Sequence, residues 1–200
     1  VASPLNPVAG LVFFGTTETE MWNWPDRGRS VWDRTLGLRG AANFGSQGTR
    51  FDSLLWRMQN GELDGYQAKI VVLQAFGPGD QAMGDRATEF AAGYRRLLAE
   101  VRARQPLAKI LLSAAFPRGQ LNREQWRDVA EANAAVYRTL ADDNTVFYVN
   151  IGERFFLPDG SHNQEMWRSP QSGVVNVGTQ TPAFEAWAEE LEPWLDRFGR

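Results

Sequence analysis

Five short apolar runs, each bordered by turn-forming residues, alternate with segments of helical period, and this alternation constrains the fold more than any other feature. Leu11-Val12-Phe13-Phe14 ends at Gly15, Ala41-Ala42-Asn43-Phe44 ends at Gly45, and the run from Ile70 to Phe76 ends at Gly77-Pro78-Gly79. The run from Ile110 to Phe116 ends at Pro117-Arg118-Gly119, and Val146-Phe147-Tyr148-Val149 makes a fifth. Short, β-branched or aromatic runs bounded by Gly and Pro predict strands. Between them Phe90, Tyr94, Leu97 and Val101 recur at three- and four-residue spacing, as do Val129, Val136, Tyr137 and Leu140. Phe184, Trp187, Ala188, Leu191, Trp194 and Leu195 form a wide apolar stripe whose helix starts near Pro182, where a missing N–H costs little. The segment from Arg50 to Asn60 predicts a shorter helix stopped by Gly61. Continuous apolar strands alternating with helices predict a parallel sheet covered on both faces, an α/β fold.

Composition narrows the function. A chain of 200 residues is long enough for one sizeable core, and a single domain over residues 1–200 is expected. The net charge is -3 and no basic run appears, which argues against nucleic acid as a partner. No apolar stretch approaches the ~20 residues needed to span a bilayer. With 0 Cys and 1 His the chain has no thiol nucleophile and no multi-histidine metal site, so neither a metal nor another cofactor is expected. A cysteine-free chain leaves the redox compartment open.

In open α/β sheets ligands bind outside the carboxyl ends of the strands. That rule selects Gly15-Thr16-Thr17-Glu18, Gly45-Ser46-Gln47-Gly48, Gly77-Pro78-Gly79-Asp80 and Pro117-Arg118-Gly119-Gln120. Taken with Leu55-Trp56-Arg57-Met58-Gln59-Asn60-Gly61-Glu62-Leu63, Arg104-Gln105-Pro106 and Asn133, these stretches resemble the GDSL (SGNH) hydrolase family. Within it they are most like the catalytic subunits of intracellular platelet-activating-factor acetylhydrolase. The resemblance implies a flavodoxin-like three-layer sandwich with a five-stranded parallel sheet. It also implies a Ser-His-Asp triad in a shallow crevice, with an oxyanion hole built from backbone N–H groups and an Asn side chain.

Residue by residue, the carry-over is incomplete. The family's Gly-Asp-Ser falls on Gly15-Thr16-Thr17, so Thr17 stands at the nucleophile position. Gly45 stands at the oxyanion glycine, and Gly79 stands where the family has its Asn donor. The closing Asp-x-x-His has no counterpart, because the stretch from Met166 to Phe184 contains neither Asp nor His; Gln171 or Gly178 falls near the His position. A hydroxyl without a base has no acceptor for its proton.

The expected function is therefore a hydrolase-like domain that has lost standard ester hydrolysis and uses the crevice for a small ligand, with a carbohydrate or acylated saccharide favoured. Thr16, Glu18, Glu20, Trp22, Trp24, Ser46, Arg50, Asp80 and Arg118 are its candidate binding residues. Of the 8 Trp, Trp22, Trp24 and Trp32 lie in a loop-like region, where packing under a long loop is the favoured reading and stacking on a sugar or clamping an acidic group the alternative, whereas Trp56, Trp187 and Trp194 are read as core. His162, in Asp159-Gly160-Ser161-His162-Asn163, reads as a surface residue, with a relocated base oriented by Asp159 as the rival reading. Two further functions stay open: an active enzyme, using Thr17 as nucleophile or Glu18, Glu20 and Asp80 as carboxylates, and a structural or assembly module, dimeric as in the acetylhydrolase subunits.

Overall fold

The computed structural model describes residues 10–74, 83–117, 122–142, 144–166 and 180–199. Five parallel strands, β1 (Leu11–Phe14), β2 (Ala42–Asn43), β3 (Ile70–Gln74), β4 (Lys109–Ser113) and β5 (Val146–Val149), form one sheet. Its order is β2-β1-β3-β4-β5. This is the flavodoxin-like arrangement, in which the order reverses between β1 and β3 and opens a crevice at their carboxyl ends. The helices are α1 (Thr17–Glu20), α2 (Arg29–Arg34), α3 (Phe51–Arg57), α4 (Ala87–Arg104), α5 (Arg123–Arg138) and α6 (Thr181–Phe198).

The strands divide their side chains with period two. Val12, Phe14, Val71, Leu73, Ile110, Leu112 and Val146 face a core completed by α3, α4 and α5, including Leu54, Tyr94, Leu97 and Tyr137. Leu11, Phe13, Ile70, Val72, Leu111, Phe147 and Val149 face the opposite core, which α2 and α6 close. Both faces are apolar, so the strands read as continuous runs and not as alternating ones.

Two strands are shorter than their apolar runs. β4 stops at Ser113, although the run continues to Phe116; Ala114 N–H still reaches the Val149 carbonyl at 2.8 Å, but Phe116 turns into the α6-side core. β2 keeps only Ala42–Asn43, paired with Val12 and Phe13. Residues 75–82, including the last part of the third apolar run, lie outside the described residues. The predicted stop at Gly61 is present: Gly61 takes φ +112° inside the wide turn Met58–Glu62 that follows α3.

Phe13 anchors the α6-side core. Its ring meets Trp32 at 5.2 Å, Trp187 at 6.2 Å and Trp22 at 6.3 Å, all edge to face. Trp22 in turn meets Phe184 at 4.6 Å and Trp187 at 5.2 Å. Trp22 is 0% exposed, which corrects its reading as a sugar platform: the whole indole is inside. Trp32 is buried too, and Trp194 is half-buried against Phe147 and Phe198. Trp56 is the opposite correction, being 64% exposed on the outer face of α3 while its neighbours Leu54 and Leu55 turn inward.

Replacing Trp187 by Ala empties the middle of the aromatic cluster without touching the turns. A loss of ~3–5 kcal/mol in unfolding free energy is expected, read from urea denaturation.

Candidate functional site

The crevice at the sheet switch point is built around Thr19, which is 0% exposed. Its hydroxyl donates to Gln74 Oε1 at the end of β3, 2.7 Å away. Its carbonyl accepts from Asn43 Nδ2 at the end of β2, at 2.8 Å. One residue of α1 thus joins the carboxyl ends of β2 and β3 across β1. None of Thr19, Asn43 and Gln74 was among the candidate residues, though Gln74 carried a signal as a polar residue inside an otherwise apolar run.

This join explains two glycines. A Cβ on Gly15 would stand 2.1 Å from Thr19 Oγ1, and one on Gly45 would stand 2.3 Å from the Glu20 amide nitrogen. Neither has a positive φ, so each is glycine because another chain segment lies against it. Gly48 differs: its φ is +72° with open space around it, the requirement of a tight turn.

The sequence-derived residues are distributed as follows. Thr16 and Thr17 are half-buried at the start of α1, and Thr16 Oγ1 donates to Glu18 Oε2 at 2.9 Å. Glu18 is buried, so it is not part of an open carboxylate rim. Glu20 accepts the Gln47 N–H at 2.7 Å and so secures the turn after β2. Ser46 is half-buried with its N–H 3.3 Å from the Gly15 carbonyl. Gly45 N–H donates to Asn43 Oδ1 at 2.8 Å. Trp24 is half-buried, whereas Arg50 is exposed and lines the cleft between α3 and α4. Gly79, Asp80, Arg118, Gln171 and Gly178 lie outside the described residues.

Arg57 clamps the same turn from beneath. It donates to the Phe44 carbonyl at 2.6 Å and to Glu62 at 2.8 Å, and it lies 3.4 Å from the Thr49 hydroxyl. Ser113, in register with Gln74, is fully buried with its hydroxyl unpaired among the described residues.

His162 corrects the surface reading. It is half-buried against the Phe156 ring at 4.8 Å, and both ring nitrogens are enclosed without a hydrogen-bond partner among the described residues. It therefore makes no bond to Thr17. Asp159 does not orient it either: that carboxylate accepts from the Ser161 hydroxyl and N–H, bonds that hold it below its usual pKa. No cluster of metal-ligating side chains occurs among the described residues, and no helix there is long and apolar enough to cross a membrane.

The GDSL-like Lipase/Acylhydrolase family model matches residues 13–171. Human platelet-activating factor acetylhydrolase IB subunit alpha1 is 28% identical over 151 residues, covering 76% of this chain and 62% of that protein. The chain thus spans less than two thirds of that relative's length. Among solved structures, a G-D-S-L family lipolytic protein from Veillonella parvula superposes with a TM-score of 0.61 at 12% identity, covering 94% of this chain and 98% of the other. An acetyl xylan esterase superposes with a TM-score of 0.62 at 17% identity, covering 92% and 98%. At such identities the structural likeness speaks for the fold.

Thr19→Val keeps the side-chain shape but leaves Gln74 Oε1 unpaired, and should cost ~1–3 kcal/mol. Gly45→Ala presses a methyl onto backbone and should cost ~1–3 kcal/mol. Gly48→Asn, at an open left-handed position that Asn tolerates, should be close to neutral. Chemical denaturation of the three variants checks this ranking.

Proposed function

The chain belongs to the GDSL-like lipase/acylhydrolase family, and from that premise we propose that it binds an acylated saccharide in the family's crevice without hydrolysing it. One observation carries the reading: Gly45 N–H, the amide at the family's oxyanion position, is already donated to Asn43 Oδ1. Stabilising a developing oxyanion requires a donor free to meet it. The sequence supports the same conclusion from the other side of the reaction. Thr17 stands where the nucleophile should be, and the only imidazole of the chain makes no bond to it.

The half-buried hydroxyls of Thr16, Thr17 and Ser46 leave a polar floor suited to ester and sugar oxygens. Trp24, half-buried beside this region of the chain, is the remaining aromatic candidate for stacking. The acetyl xylan esterase among the structural neighbours supplies the choice of probe, an acetylated xylo-oligosaccharide.

Two assays test the proposal together. With p-nitrophenyl acetate, turnover should stay at the uncatalysed level and should not change in Thr17→Ala. With the acetylated xylo-oligosaccharide, the melting temperature should rise with ligand concentration while no acetate is released, since a ligand of the folded state alone stabilises it. Saturable ester cleavage abolished by Thr17→Ala would overturn the reading in favour of a threonine nucleophile. Cleavage lost in Glu18→Gln but kept in Thr17→Ala would instead mark a carboxylate mechanism. Absence of any thermal stabilisation would remove the saccharide.

A further inference from the structure

We propose that the cleft between α3 and the first half of α4 is a second binding site, one that takes an amphipathic anion: a carboxylate or phosphate carrying an extended apolar body. The cleft has a volume of about 600 Å³, within the range of small-molecule sites. Its apolar lining includes Phe51, Leu55 and Gly93, and its charged lining is Arg50, Arg86 and Arg96 together with Asp52 and Glu89.

Gly93 makes the apolar surface possible. A Cβ there would lie 2.8 Å from the Phe51 ring, so glycine lets that ring lie against the helix backbone. Phe51 then packs edge to face with Phe90 at 5.8 Å and with Tyr94 at 4.9 Å. Phe90 and Tyr94 are buried while Phe51 and Leu55 are half-buried, so these last two form the apolar surface left partly open to solvent between the helices, which favours a ligand that removes it from water.

The charges point to the sign of the ligand. Asp52 lies 3.7 Å from Arg50, and Glu89 lies 3.3 Å from Arg86. Arg96 has no acidic partner among the described residues. Three guanidinium groups against two carboxylates leave local positive charge on a chain whose net charge is -3. The Arg86 guanidinium also sits over the Phe90 ring at 4.9 Å, which places a cation where the apolar surface begins. An apolar body lying on Phe51 and Leu55 would thus bring a carboxylate or phosphate to planar donors that match its geometry.

Isothermal titration with decanoate and decyl phosphate tests the site, with decanol as the uncharged control. Both anions should bind saturably at one site, more weakly as salt is added, with decanol weaker by at least about tenfold. Arg96→Glu should weaken the anions by a similar factor, and Ala92→Trp, which fills the cleft from an exposed position, should abolish binding. Both substitutions are on the solvent side of α4, and an unchanged unfolding midpoint establishes that the fold is intact. Thr17→Trp, which blocks the crevice, should leave the titration unchanged, so this site stands or falls separately from the saccharide reading. Equal binding of decanol, parental affinity in Arg96→Glu and Ala92→Trp, loss of binding in Thr17→Trp, or no saturable heat would each overturn the proposal. So would binding to phosphatidylglycerol vesicles without binding to either free anion.

Discussion

A parallel sheet buried on both faces leaves only its ends open, and the organisation of this protein follows from how the carboxyl end is closed. The strand backbones cannot approach one another more closely than their ladder allows, so a bridging group must come from the connections. Thr19 supplies it, tying β3 through a hydroxyl and β2 through a carbonyl while lying against Gly15 and Gly45. Without side chains at those two glycines, α1 settles directly onto the strand ends. Everything proposed for the crevice depends on that close seat.

The seat also decides what the backbone donors are free to do. Asn43 uses its amide nitrogen on Thr19 and its oxygen on Gly45, so the turn after β2 satisfies itself internally. Glu20 from above and Arg57 from below hold the same turn by charge-assisted bonds to backbone groups. Such bonds are stronger than neutral ones and fix the turn in one geometry. A loop held from both sides is well suited to present a fixed surface. Behind it, Phe13, Trp22, Trp32 and Trp187 pack the α6-side core edge to face, with the Trp22 and Trp187 indole N–H groups left without partners among the described residues.

Much of the fold was legible in the sequence because it rests on local pattern. β1 and β5 fall on their apolar runs, and Phe90, Tyr94, Leu97 and Val101 all turn inward on α4 as their spacing requires. The errors came where a side chain's fate depends on what crosses over it. Trp22 and Trp56 are both tryptophans beside short helical turns, yet α6 covers the first and nothing among the described residues buries the second. His162 sits in a polar stretch, but an antiparallel bridge to Phe156 folds it inward. The turns after the strands were legible as turns, whereas the role of Thr19 was not, since its partners lie 24 and 55 positions away.

By itself the sequence determined the fold class and which residues follow each strand. Strand and helix periods are set by neighbours, and the lack of Asp and His from Met166 to Phe184 is a fact of composition. Only the tertiary structure decided which groups are already committed: the Gly45 amide to Asn43, the Thr19 hydroxyl to Gln74, and the Arg50, Arg86 and Arg96 side chains to one cleft. Hydrogen bonding and charge clustering act over a few ångströms of space. Residues far apart in the chain reach that distance only after the sheet has formed.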